Sequence, residues 1–218
     1  MAIIDFLANI GGFFANIHIL FYIAAYLIGG IPFGLLLTKR FAGVNVKDEG
    51  SKSIGATNVL RVVKEKNPKL AKKLAVATLI LDALKNILPL SIGTIVGFDA
   101  SALWMMAILA VIGHCFSPYL NFTGGKGVAT GAGAALFLLP IETLIALVVW
   151  FIAGRVLKIS SLSSLIALAA LFLAILFRHG TIPQINSFTP LVIIAFIIIY
   201  KHIPNIIRLF KKEEGKVV

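Results

Sequence analysis

The sequence predicts an all-α, polytopic bundle of membrane-spanning helices, and three observations predict it. Hydrophobic residues make up 59% of the 218-residue chain and the mean hydropathy is +1.00, well above the roughly 45–50% apolar share of a soluble domain. The apolar residues fall in runs near the length of about 20 needed to cross the hydrocarbon core. The 20 Lys and Arg residues are largely confined to the segments between those runs.

Seven stretches qualify as spans: residues 17–38, 73–97, 101–118, 127–140, 142–158, 160–178 and 188–204. A basic segment ends the first. The second carries two ionisable residues, Asp82 and Lys85, where charge is costly and normally paired or turned to a polar cavity; their spacing permits an intrahelical ion pair. The third ends on Gly113-His114-Cys115-Phe116-Ser117-Pro118. The fourth opens after a Gly-Lys-Gly run and is short, either a full crossing or a re-entrant element, so the total lies between five and seven. Small residues such as Gly133 and Ala134 in the fourth, and Ala167 and Ala170 in the sixth, suit close helix packing in lipid. Ser160-Ser161-Leu162-Ser163-Ser164 opens the sixth, and Tyr200-Lys201-His202 approaches the end of the last. The stretch before residue 17 is brief and broken by Gly11-Gly12, and is expected in the interface. It has no basic residue ahead of its apolar part, so it does not read as a cleavable signal peptide.

Charge sets the expected orientation. Residues 39–73 hold ten of the 20 Lys and Arg, and the tail from Lys201 holds five. The positive-inside rule then puts both in the cytoplasm and the N-terminus outside. With seven spans, segments 39–73, 119–126 and 158–160 share the inner face, while Asp5, Asp99, Glu142 and Arg178-His179 lie opposite. There is no internal repeat and no linker, so residues 1–218 read as a single domain.

The net charge of +11 does not indicate nucleic acid, because the cations are not spread over one solvated face. The lone cysteine, Cys115, excludes an internal disulfide and reads as core packing. No His, Cys and carboxylate set has metal-ligand spacing, and no G-x-S-x-G elbow is present. Neither a metal nor a cofactor is expected.

Three clusters on the inner face carry the chemistry. The first is Gly50-Ser51-Lys52-Ser53-Ile54-Gly55-Ala56-Thr57-Asn58, followed by Arg61. If a helical turn begins at Thr57, Thr57 and Arg61 share a face and can grip one oxyanion, and an arginine fork matches phosphate oxygens. The second runs from His114 to Gly124-Gly125-Lys126-Gly127-Val128-Ala129-Thr130, where glycines let backbone amides approach an anion beside a lysine. It is not a nucleotide P-loop, because Leu120 and Gly127 stand where that motif needs Gly and Ser or Thr. The third is His202, Asn205 and Arg208, three residues apart on one helix face. The serines Ser160 and Ser161 lie on the same side. Lysines and histidines in such places also occur as membrane-interface anchors and backbone-bonded structural groups. A site rich in Lys, Arg, Asn, Ser and backbone amides but poor in nucleophiles suits holding phosphates and stabilising charge. An organophosphate transporter or a lipid-bound scaffold would use similar residues, but a transporter usually shows repeats and midplane charge.

The three clusters closely resemble the motifs of the bacterial acyl-phosphate:glycerol-3-phosphate acyltransferases, the PlsY family. Its Gly-Ser-Gly-Asn-x-Gly-Ala-Thr-Asn-x-x-Arg pattern falls on Gly50 to Arg61, its His and Phe-Lys-Gly-Gly-Lys-Gly-Val-Ala-Thr pattern on His114 to Thr130, and its His-x-x-Asn-Ile-x-Arg-Leu pattern on His202 to Leu209. Asp82, Lys85 and the Ser160-Ser161 group also look like the family. Lys52, Ser53, Thr123 and Pro204 depart from it. The resemblance implies acyl transfer from acyl phosphate to the 1-hydroxyl of glycerol 3-phosphate, giving lysophosphatidic acid and phosphate, in a bacterial inner membrane with the site on the cytoplasmic side. It implies Ser51, Arg61, Lys126, His202 and Asn205 as catalytic residues. Gly50, Gly55, Ala56, Thr57, Asn58, His114, Gly124, Gly125, Gly127, Ser160, Ser161 and Arg208 are the implied substrate-binding positions. Expected partners are acyl phosphate, glycerol 3-phosphate, membrane lipids and the soluble enzyme that makes acyl phosphate. The base is either a substrate phosphate oxygen or His202, and the acyl chain is expected between helices.

Overall fold

A computed structural model describes residues 16–216; the expected interfacial stretch before residue 17 lies outside the described residues except for Asn16. Nine α-helices are found among the described residues: α1 (Ile17–Gly30), α2 (Phe33–Ala42), α3 (Ala56–Lys64), α4 (Pro68–Val96), α5 (Ala100–Cys115), α6 (Val128–Leu138), α7 (Pro140–Leu157), α8 (Ser160–His179) and α9 (Thr189–Phe210). Among the described residues six segments are long and apolar enough to cross a membrane: α1 with α2, α4, α5 with the 3₁₀ turn Pro118–Leu120, α7, α8 and α9. The expected fourth span is α6, whose 11 residues reach only about 16 Å at 1.5 Å per residue. The expected all-α membrane bundle is what the chain forms.

Three expected boundaries move, the first two for local reasons. The first span breaks at Ile31-Pro32. Proline cannot donate into the ladder and disfavours helical backbone at the residue before it, and Ile31 is accordingly extended, with ψ 119°. The break leaves carbonyls for other partners: Gly30 O accepts the Ser117 hydroxyl at 2.6 Å and Ile31 O the Lys85 ammonium at 3.2 Å. The second span starts early, at Pro68, because Asn67 caps it by accepting from Leu70 N and proline is tolerated in a first turn. The last span continues through Pro204 to Phe210.

Close backbone approach fixes the bundle. A Cβ on Gly113 of α5 would lie 2.0 Å from Tyr26 O on α1, and one on Gly133 of α6 would lie 2.3 Å from Ala83 O on α4. Only glycine lets these helices meet so closely. Trp104, Met106, Leu90 and Ile175 fill the main core. A second core, including Leu35, Val46, Ile54, Val59, Val63 and Leu74, packs α3 and its preceding loop onto α2 and α4. The exposed side chains of α7, among them Leu144, Val148, Phe151 and Ile152, face where lipid would be. At the end of the bundle away from α3, buried Glu142 accepts from Arg178 Nη1 and lies 2.9 Å from His179 Nε2, tying α7 to α8.

Candidate functional site

The three sequence clusters converge on one cavity of about 470 Å³. The loop before α3 supplies Gly50, Ser51, Ser53 and Gly55, and α3 supplies Ala56, Thr57, Asn58 and Arg61. The α5–α6 connection supplies Lys126 and Gly127, and the start of α6 supplies Val128 and Ala129. Ser160, Ser161 and Ser164 come from α8, His202, Asn205 and Arg208 from α9, and Asp82 and His114 line it as well.

The expected turn at Thr57 exists. α3 starts at Ala56, with Gly55 as its N-cap, so the free amides of its first turn favour an anion there. Asn58 lines the cavity, and its side chain is bonded into the loop. Its Oδ1 accepts from Ser51 N at 2.8 Å, and its Nδ2 donates to Val46 O and Ser53 O at 2.9 Å and to Glu49 O at 3.2 Å. The side chain is 1% exposed, and with donors and acceptor committed it shapes the loop rather than a ligand. Gly50, at φ +60°, is needed because a Cβ would meet Asn58 Oδ1 at 2.4 Å. Lys52 holds φ +57°, left-handed backbone that glycine adopts freely. Thr57 Oγ1 lies 2.9 Å from Ser160 Oγ, so α3 and α8 close one wall together.

The glycine run departs from the expected phosphate cradle. Gly124 and Gly125 do not line the cavity. A Cβ on Gly124 would lie 2.1 Å from His114 O, and one on Gly125 would lie 2.0 Å from His114 Nε2. These two glycines exist so that the loop can lie flat on the end of α5, where Gly125 N donates to His114 O. Gly127, at φ +82°, then turns the chain into α6.

His114 is the anvil for this loop. Its Nδ1 is 2.6 Å from Lys85 Nζ, and Lys85 also pairs with Asp82 at 3.0 Å and donates to Ile31 O. The expected Asp82–Lys85 pair is therefore present, and Asp82 also faces the cavity. An ammonium has only donors, so His114 Nδ1 accepts and the ring proton sits on Nε2. Neighbouring contacts brace the same loop: Lys201 donates to Cys115 O at 2.9 Å, and Lys47 to Thr123 Oγ1 at 2.8 Å. Cys115 itself is fully buried, as a core-packing thiol should be.

On α9, His202 Nδ1 is 2.7 Å from Ile198 O. A carbonyl only accepts, so Nδ1 donates. In the neutral ring Nε2 is thus an acceptor, fixed for a hydroxyl in the cavity. Beyond α9 lies a group that sequence reasoning missed. Glu214 accepts from Ser161 Oγ at 2.7 Å and Arg208 Nε at 2.6 Å, and from Asn205 Nδ2. Burial alone pushes the carboxyl upward, but the bonds from Asn205, Ser161 and Arg208 and the Arg208 charge outweigh it and hold the carboxyl below its usual range. A Glu among tail lysines gives no local signal of this. Glu214→Ala is expected to free α8 from the α9 tail and lower kcat about tenfold while Glu214→Gln retains more, since three donors lose one shared acceptor; steady-state rates beside thermal midpoints check it.

Two cations remain. Among the described residues, neither Lys126 nor Arg61 has a carboxylate within 4.0 Å, whereas Arg208 is paired. Burial, with Arg208 and Arg61 nearby, pushes the Lys126 ammonium down to about 8 against the pull of Glu214. A half-enclosed cavity with two uncompensated cations calls for an anionic guest. Below it lies an apolar cavity of about 130 Å³ between α5, α6, α7, α8 and α9, with Leu79 of α4 at its edge.

Comparison with known proteins now decides the family. The family model described as glycerol-3-phosphate acyltransferase matches residues 19–212. This chain belongs to that family. It is 62% identical over 201 residues to the glycerol-3-phosphate acyltransferase of Campylobacter lari, covering 92% of this chain and 99% of that one, and 58% identical over 205 residues to that of Nitratiruptor sp., covering 94% and 98%. Its fold superposes with TM-score 0.80 on crystalline PlsY, an integral membrane glycerol 3-phosphate acyltransferase, in its glycerol 3-phosphate form. That match has 32% identity and covers 91% of this chain and 94% of the other. The lysophosphatidic acid form of PlsY matches with TM-score 0.78. The chain is therefore a membrane-embedded acyltransferase of the PlsY family, and the transporter and scaffold alternatives fall away.

Proposed function

We propose that the enzyme transfers a fatty acyl group from acyl phosphate to the 1-hydroxyl of glycerol 3-phosphate, releasing lysophosphatidic acid and inorganic phosphate. The observation that carries this is the pairing of a cationic polar cavity with an apolar one that continues into the bundle. Such a shape suits a donor with a charged head and a long tail. Among the described residues the site holds no cysteine nucleophile and no His-carboxylate pair aimed at a serine, which suits a donor that arrives activated, as a mixed anhydride is.

In this reading Arg61 and Lys126 bind the glycerol phosphate, with His202 and Asn205 orienting its hydroxyl. Ser51 and the first amides of α3, at Ala56 and Thr57, hold the acyl phosphate. The 1-hydroxyl donates to His202 Nε2 and its oxygen attacks the acyl carbon. The new C–O ester bond forms as the bond from acyl carbon to phosphate oxygen breaks, and the hydroxyl proton passes by way of His202 Nε2 to the departing phosphate. Held geometry and cations facing the developing charge supply the acceleration. Residues 1–218 act as one domain, oriented with the cavity on the cytoplasmic side of a bacterial inner membrane, within reach of a soluble enzyme that makes acyl phosphate. The lysines of residues 64–73 support that orientation.

Purified protein is incubated with glycerol 3-phosphate and, in turn, palmitoyl phosphate, palmitoyl-CoA and palmitoyl-acyl carrier protein. Lysophosphatidic acid is expected from the first alone. Equal turnover with the thioesters would overturn the donor assignment.

A further inference from the structure

We infer that Trp150 sets how deep the acyl group sits, by holding its first methylenes where the polar cavity meets the apolar one. This rests on the reading that the acyl chain occupies the apolar cavity. The two cavities share five lining residues: Leu79 of α4, Val128 and Ala129 of α6, Trp150 of α7 and Ser164 of α8. These form the neck between them. A molecule whose head lies among Arg61, Lys126 and His202 and whose tail lies below must pass its carbonyl carbon and first methylenes through this ring. Trp150 is its only aromatic member, and a flat indole gives a large, stiff contact for a chain that otherwise slides.

The indole is also locked to the polar wall. Its Nε1–H donates to Ser164 Oγ at 3.3 Å, Ser164 Oγ donates to Ser160 O at 2.9 Å, and Ser160 Oγ meets Thr57 Oγ1. Hydrogen bonds through both the main-chain carbonyl and the hydroxyl of Ser160 therefore join α3, which bears Arg61, to the ring against which the acyl chain lies. Its neighbours Val148, Phe151 and Ile152 on α7 are exposed on the outer surface, so Trp150 is turned inward out of an otherwise lipid-facing stretch. No sequence cluster contains it. An acyl carbon displaced by about 1 Å loses its approach to the hydroxyl, at a cost of up to about 10² in rate.

The test is steady-state kinetics in detergent micelles, varying palmitoyl phosphate and glycerol 3-phosphate separately. For Trp150→Ala, kcat/KM for palmitoyl phosphate is expected to fall roughly ten- to hundredfold while KM for glycerol 3-phosphate moves less than about twofold. Trp150→Phe, which keeps a ring, is expected to restore most of the loss. Unchanged kcat/KM for the donor in Trp150→Ala, or equal worsening of both substrates, overturns the inference. Should Trp150→Ala fail to purify folded, Trp150→Leu carries the same comparison. If the wild-type enzyme turns over only a thioester, the donor assignment fails instead, and the same kinetics with that thioester decide the role of Trp150.

Discussion

Gly125→Ala is expected to lower acyl transfer by about 10²-fold or more, and the reason is the His114 ring rather than a bound phosphate. The added methyl would lie 2.0 Å from His114 Nε2 and 2.7 Å from Cε1. The ring cannot step aside cheaply, because it is 3% exposed and its far side is bonded to Lys85, itself held by Asp82 and Ile31 O. The loop must lift instead, which breaks the Gly125 N to His114 O bond and carries Lys126 out of the cavity. A displacement of about 1 Å at a positioning group is enough for such a loss. A double-mutant cycle separates the two explanations. His114→Ala removes the obstacle, so Gly125→Ala made in that background should cost much less than in the wild type. If Gly125→Ala costs the same with and without the ring, direct contact between phosphate and the glycine backbone is the better account. Gly124→Ala meets the His114 carbonyl at 2.1 Å, a backbone obstacle that no side-chain replacement relieves, and its loss should persist in both backgrounds.

The same glycines show what the sequence could convey. Glycines beside Lys126 were readable as a site, because a lysine among glycines in an apolar chain has little to do but carry charge. Their partner was not readable, since the ring they pack on lies ten or so residues upstream, across a turn built by Ser117-Pro118. The helices were legible from hydropathy because lipid imposes one length on every full crossing. The break at Ile31-Pro32 was legible only as a proline, and its use, to free carbonyls for Ser117 and Lys85, needed the third dimension. The convergence of Arg61, Lys126 and His202 followed from the alternation of spans. The motif around Asn58 was legible, but not that its side chain is spent on local hydrogen bonds that shape the loop. Glu214 and Trp150 sit outside every motif, one in a charged tail and one in an apolar run, and only their neighbours reveal them.

Lys126→Met is expected to reduce kcat/KM for glycerol 3-phosphate by about 10²–10³, the range for loss of one preorganised donor at developing charge. The pH dependence of binding identifies the ammonium as the cause. Burial pushes the free group down to about 8, so in an empty site Lys126 is cationic below that pH and becomes neutral as pH rises through it, while Arg61 stays charged. The ligand phosphate has its second ionisation near about 6 and is a dianion throughout that window, so the change belongs to the protein. A bound dianion raises the Lys126 pKa again, because an opposite charge favours the charged form. Binding above pH 8 must then take up a proton, and affinity should fall by up to about tenfold for each further pH unit. Titration calorimetry at pH 7, 8 and 9 in two buffers of different ionisation enthalpy measures both the affinity and the proton uptake. In Lys126→Arg, where the guanidinium stays charged across this range, the fall between pH 7 and 9 should vanish even if overall affinity is lower. A slope that survives in Lys126→Arg would assign the titration to another group, and a flat wild-type profile would mean that Lys126 does not meet the phosphate.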